Sequence, residues 1–156
     1  MRSLDGSESF DWETDLRIQD SAVTPDGRKL IVLSVYTHIT VFDIPSKSED
    51  YTIKSLHRMT CLSVSRDSKH MLVNMANDEV HLINIETADI VRKFTGQHQD
   101  IYIIRSTFGG TDQGLVLSGS CGRLISAAHF HTTRTLLIFL SEQTRRSIFG
   151  TSTMAP

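Results

Sequence analysis

Cysteine is scarce in this sequence. Cys61 and Cys121 are the only two in 156 residues, which excludes a disulfide framework and points to a reducing compartment. Long apolar runs are also missing. The longest stretch, Leu136–Leu140, is far short of the roughly 18 apolar residues a membrane-crossing helix needs. The first residues hold no apolar core of a secretory leader. A cytoplasmic or nuclear location is therefore expected. Charge of one sign is missing too: the formal net charge is −2, which argues against nucleic acid or an anionic membrane as partner.

Catalytic and ligand-binding signatures are equally sparse. No G-x-S-x-G elbow and no local Ser/His/Asp grouping stands among the serines. Phe108-Gly109-Gly110 is a turn and not a phosphate-cradling G-x-x-x-x-G-K loop. Arg145-Arg146 is too small for a nucleic-acid patch. His129-x-His131 with Cys121 upstream falls short of the four ligands, or three plus water, of a zinc site. The other histidines, His38, His57, His70, His81 and His98, are scattered over turns and strand ends. No enzyme activity, metal, cofactor or small-molecule substrate is expected.

Short apolar runs cut by turn residues are abundant. Thr60 to Phe94 reads as four strands: Thr60–Val64, His70–Met75, Val80–Ile85 and Ile90–Phe94. Between them lie Arg66-Asp67-Ser68, Ala76-Asn77-Asp78-Glu79 and Glu86-Thr87-Ala88-Asp89. Runs this short bounded by Asn, Asp and Ser describe a β-meander. No segment keeps a helical apolar period for three turns.

The unit recurs. Shifted back by 41, Val64 falls on Val23, Asp67 on Asp26, Met71 on Leu30, Val80 on Ile39, Leu82 on Val41 and Asn84 on Asp43. Shifted forward by 44, Val64 falls on Phe108 and Met71 on Leu115. In the first unit the same pattern gives strands at Leu30–Ser34, Ile39–Ile44 and Tyr51–Leu56, with Pro45–Asp50 as a polar loop. In the third, Ile101–Phe108 and Gly114–Ser118 read as strands. Arg105 sits inside the first of these and is expected to fan its donors onto neighbouring loop carbonyls. Repeats of about 40–45 residues with four strands each are units that must stack on neighbours to bury both faces.

Particular residues tie this repeat to a family. Val23-Thr24-Pro25-Asp26-Gly27 resembles the F-S-P-D-G turn of WD-repeat β-propellers, and Val64-Ser65-Arg66-Asp67-Ser68 resembles the same turn one repeat on. Phe42-Asp43 and Ile83-Asn84 stand where that family has Trp-Asp. Gly96-Gln97-His98 resembles its Gly-His with one residue inserted. Tyr36 and Asn77 stand where it often has an Asp, which leaves its side-chain hydrogen-bond tetrad without the acid. Over about Asp15 to Ser120, the segments DLRIQDSAVTPDGRKL, MTCLSVSRDSKHMLVNMANDEVHLINIETADIVRKFTGQ and IRSTFGG resemble the WD-repeat scaffold subunits of CTLH-type, or glucose-induced-degradation, ubiquitin ligases. In that family they form the middle of a propeller that follows helical LisH and CTLH motifs, neither of which is in this sequence.

The resemblance implies an all-β fold, a partial WD-repeat propeller of about three antiparallel four-stranded blades, the last degenerate. It divides the chain at 16–56, 57–95 and 96–120. Residues 1–15 are read as a tail or as the last strand of a preceding blade with Trp12 packed inward. Residues 121–156 carry four arginines against one acid where residues 1–120 carry 12 Lys/Arg against 17 Asp/Glu, and Ala128-His129 replaces Trp-Asp. They are read as a tail from another reading frame, or else as a divergent blade with strands at 124–130 and 135–140. The implied function is a non-catalytic scaffold that binds other proteins, ubiquitin ligase subunits or substrates, in proteasomal degradation. A generic adaptor, or a truncated product without an independent role, is the alternative. The implied interaction loops carry Tyr36, His38, His57, Arg58, Asn77, Asp78, Gln97 and Asp100. An open arc with apolar Val23, Leu30, Val32, Leu62, Val64, Met71 and Val73 facing inward and no cap on its far side is expected to self-associate, bind a completing partner or stay partly unfolded.

Overall fold

Twelve strands form three four-stranded antiparallel sheets in the computed structural model, which describes residues 11–12, 15–35, 37–120, 124–129 and 138–141. The first sheet comprises β1 (Ile18–Val23), β2 (Lys29–Ser34), β3 (His38–Asp43) and β4 (Ser48–Lys54). The second comprises β5 (Met59–Val64), β6 (His70–Met75), β7 (Glu79–Asn84) and β8 (Ile90–Thr95). The third comprises β9 (Ser106–Gly109), β10 (Leu115–Gly119), β11 (Leu124–His129) and β12 (Ile138–Ser141). Each is a meander in chain order, and no helix occurs among the described residues. β11 and β12 overlap the two strands of the divergent-blade reading. Cys121, His131, Arg145 and Arg146 lie outside the described residues.

The repeat extends to backbone irregularities. Register shifts between Ile18 and Asp20 and between Met59 and Cys61 fall 41 residues apart, as do those at Val41/Phe42 and Leu82/Ile83. Left-handed turn residues follow suit: Gly27 and Ser68, Thr37 and Asp78, and Lys47 and Ala88 all have φ between +55° and +73°. Gly27 adopts this conformation at no steric cost, whereas the other five do so against their Cβ.

Turn chemistry explains why these hairpins close. Thr24 Oγ1 donates to Asp26 Oδ1 (2.5 Å) and accepts from Lys29 N (3.0 Å), while Asp26 Oδ1 accepts from Arg28 N (3.1 Å). Ser65, Asp67, His70 and Lys69 repeat the pattern at 2.5, 2.9 and 3.0 Å. Asp43 and Asn84, in the family's Trp-Asp position, each accept backbone N–H groups of the next turn, from Ser46 at 2.9 Å and from Glu86 at 2.8 Å. Such local side-chain bonds replace the backbone partners a tight turn lacks.

Two apolar layers hold the sheets together. Ile31, Leu33, Ile39 and Val41 of the first sheet pack on Met59, Leu62, Met71, Val73, Met75, Ile83 and Ile85 of the second. Leu72, Val80, Leu82 and Phe94 pack on Val116 and Phe108 of the third. The inner strands β1, β5 and β9 lie side by side.

Several expectations are corrected. Val23, Leu30 and Val32 do not share a layer with Leu62, Met71 and Val73; they lie on the opposite face of the first sheet, with Trp12, Leu16, Ile18 and Phe42. That face is covered only in part, by Trp12, which packs on Phe42 with ring centroids 5.5 Å apart, while Ile18 and Val23 stay exposed. Trp12 itself is not on a strand. Pro45–Asp50 is not all loop, since β4 begins at Ser48; its polar composition reflects the exposure of an outermost strand. Ile101–Phe108 is not a strand: pairing begins at Ser106, so Arg105 lies in the preceding loop. The third hairpin is one residue shorter than the others, so Phe108 pairs with Val116, and Val116 rather than Leu115 is buried.

Candidate protein-interaction surface

The loops entering each inner strand and those between second and third strands meet at one end of the sheets. At this end Val35 N donates to Arg17 O (2.9 Å) and Ala76 N to Arg58 O (2.8 Å), equivalent bonds in successive units. Ser55 N donates to Thr37 O (3.0 Å). The sheets are then laced across their inner strands. Gln19 Nε2 donates to Thr60 O (2.9 Å) and Leu62 N to Asp20 Oδ2 (3.1 Å). Cys61 Sγ donates to Ile104 O (3.2 Å) and Ser63 Oγ to Ser106 O (3.0 Å). Ser106 N donates to Asn74 Oδ1 (3.2 Å). Strand edges left without a ladder partner are thus satisfied by side chains of the neighbouring unit.

Asp78 organises the loop between β8 and β9. Its carboxylate accepts Gln99 N at 2.6 Å and faces His98 Nδ1 at 3.0 Å. The Gln99 N–H, then the imidazole, hold the carboxyl below its ordinary value. His98 N also donates to Ser120 Oγ (2.9 Å). The acid that the Asn77 position lacks is thus supplied by the next residue. Asp20 is the second organiser: besides Leu62 N, its carboxylate holds Arg105, with Nη1 at 3.3 Å from Oδ2 and Nη2 at 3.3 Å from Oδ1. Arg105 therefore engages a carboxylate 85 residues away, and not the loop carbonyls expected from sequence.

The expected interaction residues divide. His57, Arg58, Asn77 and Asp100 are exposed on this end. His38 opens β3 and is half-buried, and Asp78 is committed to His98 and Gln99. Gln97 is buried, so its side chain does not face a partner. Tyr36 lies outside the described residues. Sequence reading missed Asp20 and Asn74, whose partners lie in other units, and the exposed Leu56, Ile101, Tyr102 and Ile103. An acid in β1 where the equivalent residue is Cys61 was the available signal for Asp20.

Comparison with known proteins agrees with this architecture. No family model matches the chain. It is 37% identical over 123 residues, 77% of its length, to a WD repeat-containing protein 26 homolog of Arabidopsis thaliana, covering 21% of that protein. It is 33% identical over 125 residues, 76% of its length, to GID complex subunit 7 of Schizosaccharomyces pombe, covering 24% of that protein. The chain thus spans under a quarter of the length of these relatives. Among solved structures, the RRP9 WD40 repeats superpose with a TM-score of 0.68 at 17% identity, over 83% of this chain and 40% of that one. With its three meanders laced along their inner strands, the chain is similar to WD repeat-containing proteins and has the fold of part of a WD-repeat β-propeller.

Proposed function

We propose that the chain serves as a non-catalytic scaffold for protein–protein interaction within a CTLH/GID-type ubiquitin ligase of the cytoplasm or nucleus, acting in substrate degradation. The observation that carries the scaffold reading is the end built by Asp20 and Asp78. Two carboxylates tie three units into one rigid rim, and exposed loop side chains are presented from it. The likeness to GID complex subunit 7 supports the assignment to that ligase. Co-purification of the tagged chain with RING-bearing subunits of the complex is the expected result; its absence under conditions that preserve the rest of the complex sinks the assignment.

Ring completion is part of this reading. Ile18, Ser21, Val23, Leu30, Val32 and Phe42 are the equivalents, 41 residues back, of the second-sheet residues Met59, Leu62, Val64, Met71, Val73 and Ile83 that face the first sheet. Met59 is 2% exposed where Ile18 is 61% exposed. Trp12 and Leu16 cover this face only in part and leave a cleft of about 540 Å³. The face suits another blade, and propellers close with roughly four to eight. The isolated chain is therefore expected to self-associate at micromolar concentration by light scattering. A compact monomer of 17.5 kDa with a sharp reversible melt would contradict this.

A further inference from the structure

Cys61 is 1% exposed, yet what lies over its sulfur is held down weakly. The thiol donates to Ile104 O at 3.2 Å, so the backbone of the Ile101–Arg105 segment covers it on the side of the third sheet. Ile101, Tyr102 and Ile103 are exposed, as is Arg105. Lifting this segment uncovers little apolar surface, and apolar burial is the main force that keeps a segment in place. Polar contacts hold it instead. Asp78 fixes Gln99 N at one end, and Asn74 fixes Ser106 N at the other. Between them stand only the Arg105–Asp20 pair, its guanidinium 67% exposed, and the thiol bond itself. An exposed ion pair contributes little and a thiol is a weak donor. The five residues thus form a lid of low local stability on a stable sheet.

Beneath the lid lies unused hydrogen-bonding capacity. Cys61 and Asn74 are cross-strand partners of β5 and β6, so their side chains share a face. Both reach the same stretch of the third unit, Cys61 at Ile104 and Asn74 at Ser106. Asn74 is 1% exposed and Ser106 3%, and neither Asn74 Nδ2 nor Ser106 Oγ has a partner among the described residues. Buried donors are rarely left so. An acceptor placed beside the sulfur would meet the Asn74 amide. With the lid closed, burial pushes the Cys61 thiol up, and the Ser106 backbone and the Arg105 guanidinium offset this only in part. The closed thiol is therefore unreactive. With the lid lifted the burial is relieved, while Asn74 stays on the same sheet to face a thiolate.

We propose that Cys61 is a gated modification site, whose thiolate exchanges with small disulfides when the Ile101–Arg105 lid lifts. The proposal is independent of the scaffold reading. The thiol gives its proton to solvent and the thiolate attacks one sulfur of the disulfide. A new S–S bond forms as the old one breaks, and the second sulfur leaves as a thiolate. The mixed disulfide removes the donor to Ile104 O and fills the space above Cys61, so it holds the lid open. Excess free thiol reverses it by the same exchange.

The test times the coloured thiolate released from dithio-bis-nitrobenzoate by the full chain carrying Cys121→Ser, in which Cys61 is the only cysteine. Peptide mass mapping of the labelled parent, with both cysteines, gives the same reading without a substitution. Labelling of Cys61 should be slower than in the urea-unfolded chain, and its rate should rise with urea far more shallowly than the global unfolding equilibrium, because a local opening exposes little surface. Arg105→Ala removes the latch and should speed labelling by roughly two- to fivefold. Arg105→Glu sets a carboxylate against Asp20 and should speed it further. In the labelled protein, hydrogen exchange at the Ser106 amide should accelerate and return on adding dithiothreitol, while the amides of Leu72 and Val73 in β6 stay protected. A labelling rate with the full urea slope of global unfolding overturns the proposal, since the thiol is then reached only by unfolding. So does a rate equal to that of the unfolded chain, which means no gate, or one unmoved by both Arg105 variants at unchanged circular dichroism. Loss of β6 protection on labelling also overturns it, because Cys61 is then a packing residue that modification destroys.

Discussion

Replacing Asp20 by alanine separates two contacts of very different worth. Its carboxylate accepts Leu62 N at 3.1 Å, and Leu62 is 4% exposed. Without that acceptor the amide is left unpaired in a buried strand, a penalty of about 1–3 kcal/mol. The same carboxylate pairs with Arg105, whose side chain is 67% exposed. An ion pair with so much water around it contributes about 0–1 kcal/mol. Asp20→Ala should therefore destabilise by about 1–4 kcal/mol, whereas Arg105→Ala should lose under about 1 kcal/mol. Asp20→Asn keeps an acceptor for Leu62 N and should lie near Arg105→Ala. Urea unfolding gives the three midpoints, and hydrogen exchange at the Leu62 amide gives the local readout. Exchange there should accelerate in Asp20→Ala beyond the global loss of stability, and not in Arg105→Ala. Equal losses for Asp20→Ala and Arg105→Ala, with no selective change at Leu62, would show that the ion pair dominates and refute the reasoning.

Three further outcomes are expected. Ala88 holds a φ of +62°, which costs a Cβ-bearing residue about 1–2 kcal/mol against the roughly 0.5–1 kcal/mol of extra chain entropy a glycine loses. Ala88→Gly should thus raise the urea midpoint, and a lowered midpoint would reverse the sign of this argument. In acid, hydrogen bonds from Thr24, Ser46, Gln99 and His81 hold Asp26, Asp43, Asp78 and Glu79 below their ordinary values of 3.8 and 4.5. Burial pushes Asp67 up, but bonds from Ser65 and Lys69 outweigh it. Folded values below unfolded ones mean stability present above about pH 4.5 and lost as pH falls through the folded values; a midpoint that rises on acidification counts against these bonds. At the alkaline end, burial and then Asp50 push the Tyr51 phenol up to about 12, while its hydroxyl donates to Ile85 O. Ultraviolet titration should show one of the three tyrosines ionising late, with stability falling as pH rises above 10 toward 12, and Tyr51→Phe should remove that late step.

Local chemistry was what made the first two units legible. Thr24-Pro25-Asp26-Gly27 and Ser65-Arg66-Asp67-Ser68 close their turns with bonds spanning five residues or fewer, so the pattern that predicts the turn also contains its partners. β4 was misplaced because Ser48, Glu49 and Asp50 are polar, and polarity marks exposure whether the backbone is loop or outermost strand. The Ile101–Arg105 loop was misread for the opposite reason. Apolar composition suggested a strand, while the contacts that keep it out of the sheet come from Asp20, Cys61 and Asn74, between 32 and 85 residues away. One-residue shortening at Gly110–Gln113 hid the true pairing of Phe108, since a 44-residue offset keeps the apolar pattern on either register. Of the interaction residues, exposure of His57, Arg58, Asn77 and Asp100 followed from their place in loops; burial of Gln97 depends on packing that spacing does not record.

The contacts that repeat and those that do not serve different ends. Hydroxyl–carboxylate turns, Asx caps and left-handed turn residues recur at 41 because every hairpin must close, whichever neighbour it later meets. The bonds between units do not recur in kind. At equivalent positions Asp20 accepts from Leu62 N, whereas Cys61 donates to Ile104 O. Asn74 receives Ser106 N, while its equivalent 41 residues back is Leu33, wholly buried in the apolar layer. Apolar layers alone would let similar sheets stack in more than one order, because area burial is non-directional. A buried amide that needs one particular carboxylate penalises the wrong neighbour by about 1–3 kcal/mol, and two or three such contacts suffice to fix the order of the units. Degeneracy of the repeat at the inner strands is then the means by which otherwise similar blades are told apart.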